Sequence, residues 1–266
     1  MRQQFYDALW RAYAEHGRDD LPWRRQFPDG SIDAYAVLVS EVMLQQTQVS
    51  RVVKKYQDFL RQFPSIDNLA QAPWSAVLSA WNGLGYNRRA KYLHRAAQLL
   101  HGAVEPWSLE QLTELKGIGH NTAAATLVYS CNQPHVFIET NIRTVYLQHF
   151  FPDHAAVSDK QIRQVVDETL DRENPRQFYW AVMDYGAQLK KQGKGQLARS
   201  MSHKKQARFA GSRRQLRGRV LRELQSASPM PLVTLRETLQ DSRLDAVLDD
   251  LAAESLIQLC DNHASI

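Results

Sequence analysis

A single glutamate, Glu41, interrupts an otherwise apolar helical run, Ala34–Met43. A carboxyl group deprived of water holds its proton more tightly, so an acid in that setting is a candidate general acid. The alternative is a surface charge at the margin of the apolar face. A second chemical signal is Leu115-Lys116-Gly117-Ile118-Gly119-His120-Asn121-Thr122-Ala123. Glycines at this spacing let backbone amides approach a phosphate with no Cβ in the way, and a helix starting after them adds free N–H groups and its dipole. A bare Gly-x-Gly turn would serve as a simple helix connection, but the flanking Leu115 and Thr122-Ala123 favour a phosphate cradle in a helix-hairpin-helix. A third signal is charge. From Lys190 to Arg222 the chain carries Lys204, Lys205, Arg208, Arg213, Arg214, Arg217 and other bases without one Asp or Glu, whereas the last forty residues carry more acids than bases. Such a block is either an electrostatic footprint for phosphate or a solvated linker.

Helices must position these groups. Ala90, Leu93, Ala97 and Leu100 recur at helical spacing after Asn87, and Gly102 stops that helix. Residues 160–171 and 175–189 repeat the amphipathic pattern, with Pro175 in a first turn. Ser108 with Gln111 three residues on reads as a capping box ahead of the hairpin, and a second apolar helix follows from Ala123 to about Cys131. Strand-like alternation is nearly absent before residue 255. The spacing therefore predicts an all-α domain over 1–190 and a basic linker or strap over 191–208. A small module over 209–266 should follow: helices near 213–225, 232–240 and Arg243–Glu254, a Pro229/Pro231 turn, and a β-prone Ser255–Leu259. Three helices and a β segment suggest a winged helix, with a plain helical cap as the alternative.

In order along the chain, Leu21-Pro22-Trp23-Arg24, Ser40–Val49, Trp81–Tyr86, Arg88-Arg89-Ala90, Leu115–Ala123, Ile138–Val145 and Met183–Ala187 resemble segments of the helix-hairpin-helix DNA glycosylase superfamily that includes endonuclease III and MutY. The MutY branch, A/G-specific adenine glycosylases, is the nearer match, over residues 5–190. The resemblance implies two helical lobes with DNA and an extruded base in the cleft between them. An enzyme of this class flips its nucleotide, protonates the leaving base and stabilises an oxocarbenium-like sugar with a carboxylate. Glu41 matches the general acid. Glu139 stands where the family has an aspartate, in a motif that also supplies Asn141. The extra methylene shifts that carboxylate by about one C–C bond, and a misplacement of that order can lower a rate ~100-fold. Either the pocket has re-adapted, or the substrate bond is labile, or the protein binds without cutting.

The resemblance assigns further roles. Asn121 occupies the position of the Schiff-base lysine of bifunctional members, and an amide cannot form an imine, so a monofunctional enzyme is expected. Gln46 and Tyr86 match residues that wedge into the base stack. Trp23, Arg24, Gln45, Asn121 and Trp180 are expected to line the base pocket. Arg88, Lys116, Gly117, Gly119, His120, Thr122, Lys204 and Lys205 are expected to contact DNA. Two features depart from the MutY pattern: a tryptophan, Trp180, near which a base-reading amide is expected, and a tail too short and helical for the domain that senses 8-oxoguanine. The four-cysteine iron–sulfur loop is also missing. Cys131 and Cys260 are the only cysteines, so no metal and no cofactor are expected.

Bulk properties agree. Of 266 residues 44% are hydrophobic and 23% charged, with net charge +5, and no apolar run reaches 18 residues. The N-terminus, Met1-Arg2-Gln3-Gln4-Phe5, has no apolar stretch of a signal peptide. The expectation is a cytoplasmic, nucleoid-associated monomer that meets double-stranded DNA carrying a mismatched or damaged base, and no membrane. The rival expectation is a catalytically weak or inactive damage-binding protein.

Overall fold

The computed structural model describes residues 2–202 and 208–266, so Lys204 and Lys205 lie outside the described residues. In chain order the helices are α1 (Arg2–His16), α2 (Ala34–Leu44), α3 (Val49–Gln62), α4 (Ile66–Gln71), α5 (Trp74–Trp81), α6 (Arg88–Leu100), α7 (Leu109–Thr113), α8 (His120–Cys131), α9 (Thr140–Phe150), α10 (Asp159–Thr169) and α11 (Pro175–Lys191). They are followed by α12 (Arg213–Ser226), β1 (Met230–Pro231), α13 (Leu232–Leu239), α14 (Leu244–Ala253), β2 (Gln258–Cys260) and β3 (His263–Ser265). No described helix is long and apolar enough to cross a membrane.

The chain forms two compact units. One comprises the described residues of Met1–Glu41 and Ala103–Lys205, the other those of Val42–Gly102 and Gln206–Ile266. The C-terminal segment thus shares a unit with 42–102, and the chain passes from the first unit to the second inside α2.

In the first unit α9 and α11 pack face to face. Gly186 makes this possible: a Cβ there would run into the backbone carbonyl of Asn141, so only glycine lets the helices approach this closely. Around this contact lie Phe5, Tyr146, Phe178, Tyr179, Val145 and Leu147, all fully buried. Helix α8 is buried from Thr122 to Ser130. It can be so because Thr126 and Ser130 return their hydroxyls to the carbonyls of Thr122 and Thr126, at 2.8 and 2.6 Å. The expected capping box exists, Ser108 Oγ accepting from the Gln111 N–H at 3.1 Å and Gln111 Oε1 from the Ser108 N–H at 2.8 Å.

The described part of the basic strap is built into this unit. Val157 N donates to Arg199 O (2.9 Å) and Met201 N to Val157 O (3.0 Å). The Arg199 guanidinium donates to the carbonyls of Leu147, Phe151 and Pro152, at 3.1, 2.7 and 2.6 Å. These lie at the C-terminal end of α9, where carbonyls lack intrahelical partners and the dipole favours a cation. Arg199, one of the bases of the Lys190–Arg222 block, is thus a helix cap.

In the second unit, Leu78 joins a core made of Leu216, Val220, Leu224, Leu235, Val247, Leu251 and Leu256. The order helix, strand, two helices, hairpin, with antiparallel sheet order β1-β3-β2, is that of a winged helix. Asp261 and Asn262, both at positive φ, make the two-residue turn between β2 and β3. The segment expected as a Pro229/Pro231 turn contributes β1, with Met230 opposite Ala264. A two-residue strand has no alternation of its own to read and exists through its partner.

Candidate active site

Glu41 lies on the last turns of α2 and is 8% exposed. Burial pushes its carboxyl well above the ordinary range, the charge of Glu139 pushes the same way, and Arg24 opposes them. Glu139 is the N-cap of α9, with an extended backbone and no cap bond from its side chain. It keeps some exposed surface, yet loss of water still raises its carboxyl, while Arg143 pulls it down. Arg143 is itself fixed by paired bonds to Asp159, both 2.8 Å. The two acids thus differ. Glu41 is raised further and has the like charge against it, so the first proton taken up by the pair belongs mainly there.

The segment leading to Glu139 is tethered at each of the three preceding residues. Val136 O accepts from His120 Nε2 and from Arg163, both at 3.0 Å, so Nε2 carries the ring proton. Phe137 N donates to the Tyr179 hydroxyl (3.4 Å), and its ring stacks on Tyr179 at 4.2 Å. Asn121 Nδ2 donates to Ile138 O (2.8 Å) and its Oδ1 accepts from Ile138 N (3.4 Å). Asn121, expected in the base pocket, has its amide on the backbone that carries Glu139. Asn141, two residues beyond Glu139, has a buried Oδ1 with no protein partner.

Sequence reading gave no role to two members of this surrounding, Tyr129 and Asp184. Tyr129, buried on α8, has its hydroxyl raised by burial and by both Glu41 and Glu139. Asp184, 3% exposed on α11, accepts both terminal nitrogens of Arg24 at 2.8 Å, and also Nε (2.7 Å) and the backbone N–H (2.8 Å) of Arg18. Arg24 itself is 6% exposed and lies 5.2 Å from the Trp180 ring centroid. Arg24 and the buried Trp23 and Trp180 are therefore packed wall, with the Trp180 ring occupied by a guanidinium. Asp184 lies in the family-like segment Met183–Ala187, but nothing local gives its partners, which sit some 160 residues away.

The hairpin has the expected form. Gly117 is at φ +89 and Ile118 N donates to Leu115 O at 3.0 Å, while the Ile118 side chain is buried. Gly119 is the N-cap of α8 with an extended backbone, and a Cβ there would meet nothing within 4 Å. Neither its φ nor its neighbours demand glycine. Lys116, Gly117, Gly119 and His120 are exposed and Thr122 is buried.

In the second unit two turns carry the residues expected to reach into DNA. Gln46 and Tyr86 both occupy the left-handed region, at φ +58 and +48, and both are exposed. Side chains with a Cβ rarely adopt this conformation unless their surroundings fix it. What fixes it is Arg89, buried on α6, to which the family-like segment Arg88-Arg89-Ala90 gave no such role. It donates to the carbonyls of Val42 and Met43 (2.9 and 2.8 Å), Gln45 (2.5 Å), Leu84 (3.4 Å) and Gly85 (3.1 Å) and to the Thr47 hydroxyl (2.9 Å). One guanidinium thereby ties the end of α2 and the Gln45–Thr47 turn to the Leu84–Tyr86 turn. Burial lowers its pKa to about 10, so it remains charged at neutral pH. Arg88, expected on DNA, is ion-paired with Glu254.

The four-cysteine cluster has no ligand set here, since the sequence holds only two cysteines, Cys131 in α8 and Cys260 in β2.

Comparison with known proteins agrees with this architecture. Residues 39–172 match the HhH-GPD superfamily base excision DNA repair protein family. The chain is 32% identical over 190 residues to an adenine DNA glycosylase of Buchnera aphidicola subsp. Baizongia pistaciae, covering 69% of this chain and 52% of that protein. It is 31% identical over 271 residues to the adenine DNA glycosylase of Mycolicibacterium smegmatis, covering 93% and 90%. It spans about half the length of the Buchnera relative. Among solved structures, a thermostable thymine-DNA glycosylase aligns with TM-score 0.59 at 21% identity, over 70% of this chain and 86% of that one. An endonuclease III trapped as a covalent intermediate with DNA aligns with TM-score 0.56 at 15% identity, over 69% and 84%. The chain belongs to the HhH-GPD superfamily of base excision DNA repair proteins.

Proposed function

We propose that this protein is a monofunctional DNA N-glycosylase acting on duplex DNA with a mispaired or damaged base, an adenine-type mispair first. The observation that carries the reading is the pair of acids, the buried Glu41 held protonated more firmly than the part-exposed Glu139. With the nucleotide extruded, Glu41 gives its proton to the leaving base as the C1′–N bond breaks and the bond's electron pair departs with the base. The sugar is left as an oxocarbenium-like cation, and the Glu139 carboxylate stabilises it. Water then adds at C1′ and its proton returns to a carboxylate. Asn121 offers no amine, so no imine forms and the strand is not cut. Its role is to hold Ile138, and with it the start of α9. Asn141, with an unused Oδ1, is left to orient water or sugar.

Phosphate contact is assigned to Lys116, Gly117, Gly119 and the start of α8. The open space over Gly119 supports it, because nothing inside the protein uses the missing Cβ. Tyr86 and Gln46 are assigned as the wedge residues. The naming of both relatives as adenine DNA glycosylases favours adenine as the base.

The test is single-turnover cleavage on a panel of duplexes: A opposite G or 8-oxoguanine, U or T opposite G, hypoxanthine, and alkylated bases. Strand scission should appear only after alkali, on one substrate, and vanish with Glu41→Gln. Tight binding with no abasic product on any duplex, also after Glu139→Asp, would replace this reading with a damage-binding protein.

A further inference from the structure

The winged-helix-like segment raises a question of its own, because its charges are placed wrongly for a DNA reader. In a winged helix the third helix is the one that enters the major groove. Here that helix, α14, carries Asp245, Asp249 and Asp250, with Glu254 just beyond it. Phosphates repel such a surface. Three of these acids hold arginines of the same unit: Asp245 pairs with Arg236, Asp250 with Arg213 and Arg217, and Glu254 with Arg217 and Arg88. The Trp74 indole adds a bond to Leu256 O at 3.0 Å.

Other contacts of the same unit reach Tyr86. The residue is 38% exposed, and its backbone is in the left-handed region. The Arg214 guanidinium of α12 lies 5.5 Å from the ring centroid and donates to the tyrosine hydroxyl. Arg89 lies 5.5 Å from the same centroid. Two residues on, Arg88 is tied to Glu254. The C-terminal segment therefore grips the Tyr86 turn at its side chain and again at Arg88.

We infer that the C-terminal winged-helix-like segment is a brace for the wedge: Arg214 is a positioning residue that holds Tyr86 in the orientation in which it enters the base stack, and α14 does not read DNA. The inference rests on the wedge role given to Tyr86 above. Pre-setting an exposed aromatic removes ordering entropy from the binding step, so the gain falls on the distorted complex and little on encounter with plain duplex.

The experiment measures affinity and its salt dependence for a duplex with A opposite 8-oxoguanine and for the same duplex fully paired. The proteins are the full-length wild type, Tyr86→Ala, Arg214→Ala, Arg214→Lys and the double alanine variant. Loss of one stacking contact should lower discrimination between the duplexes about tenfold in Tyr86→Ala. Arg214→Ala should give a loss of the same order, the double variant should add nothing, and lysine should not restore it, since the planar guanidinium is what stacks. The salt slope should not change. Equal weakening on both duplexes with a slope smaller by about one would make Arg214 a phosphate contact and overturn the inference. Multiplying losses in the double variant would overturn it as well. Undiminished discrimination in Tyr86→Ala would instead remove the wedge reading itself, and the brace with it. If Arg214→Ala does not fold, Tyr86→Phe carries the test, because it removes only the hydroxyl. A loss of about threefold, the worth of one hydrogen bond, supports the brace and no loss overturns it.

Discussion

In the first unit two carboxyl groups, the buried Glu41 and the part-exposed Glu139, are both raised by loss of water, Glu41 also by the charge of Glu139, with Arg24 and Arg143 opposing. In the second unit one buried guanidinium, Arg89, is surrounded by six oxygens. The first arrangement leaves electrostatic need unmet and so stores proton affinity. The second over-satisfies a charge and so fixes backbone. A site that must move a proton benefits from groups kept off their ordinary pKa. A platform that must press against a base stack benefits from a cation that cannot let go. Asp184 shows that the first unit also uses the second strategy: it accepts from both Arg24 and Arg18, and Arg24 is the cation that opposes the raised carboxyl of Glu41.

Breaking the first arrangement at its centre should give the largest effect. Glu41→Gln should lower single-turnover base release by roughly 10²–10⁴-fold, the usual worth of a general acid. Its stability should move the other way. An acid whose folded-state pKa is raised contributes fully below the unfolded value of about 4.3 and loses that contribution as pH climbs toward the folded value. Glutamine has no such loss, so the variant should melt above wild type at pH 8, and the gap should close toward pH 5.

Asp184→Ala leaves two arginines without their carboxylate, one of them buried. Removing one partner of a buried pair costs about 3–5 kcal/mol, to be read from denaturant unfolding. Arg89→Met should cost about 3 kcal/mol, since several buried carbonyls lose a charged side-chain donor, again read from denaturant unfolding. If the two regions work as described, these variants separate by function: the Asp184 change depresses the rate on bound substrate, and the Arg89 change depresses discrimination for a mispaired duplex. Gly186→Ala, which drives a methyl group into the Asn141 carbonyl, should destabilise by about 1–3 kcal/mol in thermal melts, as overpacking does.

Much of this was legible beforehand, for identifiable reasons. Helix α2 is apolar nearly all round, so Glu41 within it had to be either marginal or buried. The Ser108–Gln111 box and the two hairpin glycines act within a few residues, and the structure has them as read. Helices α10, α11, α12 and α13 start and end within two residues of their sequence limits. What the sequence hid was long-range. Arg89 sits in Arg88-Arg89-Ala90-Lys91 and looks like any surface base until α2, more than forty residues earlier, supplies its carbonyls. Asp184 is one acid in a helix until Arg18 and Arg24 arrive. The Asn121 amide resembled a pocket group, yet its partner is the Ile138 backbone. The tail was read as a module of its own because local pattern cannot show that Leu78 and Trp74 complete its core.

The most direct measurement is the pH profile of single-turnover base release by the wild-type protein on the substrate that the duplex panel selects. With Glu41 held protonated by burial and by Glu139, the rate should hold well above the ordinary carboxylate range and fall only as pH passes that strongly raised carboxyl. A rate already falling around pH 4.3, the ordinary value for glutamate, would contradict a buried general acid at Glu41.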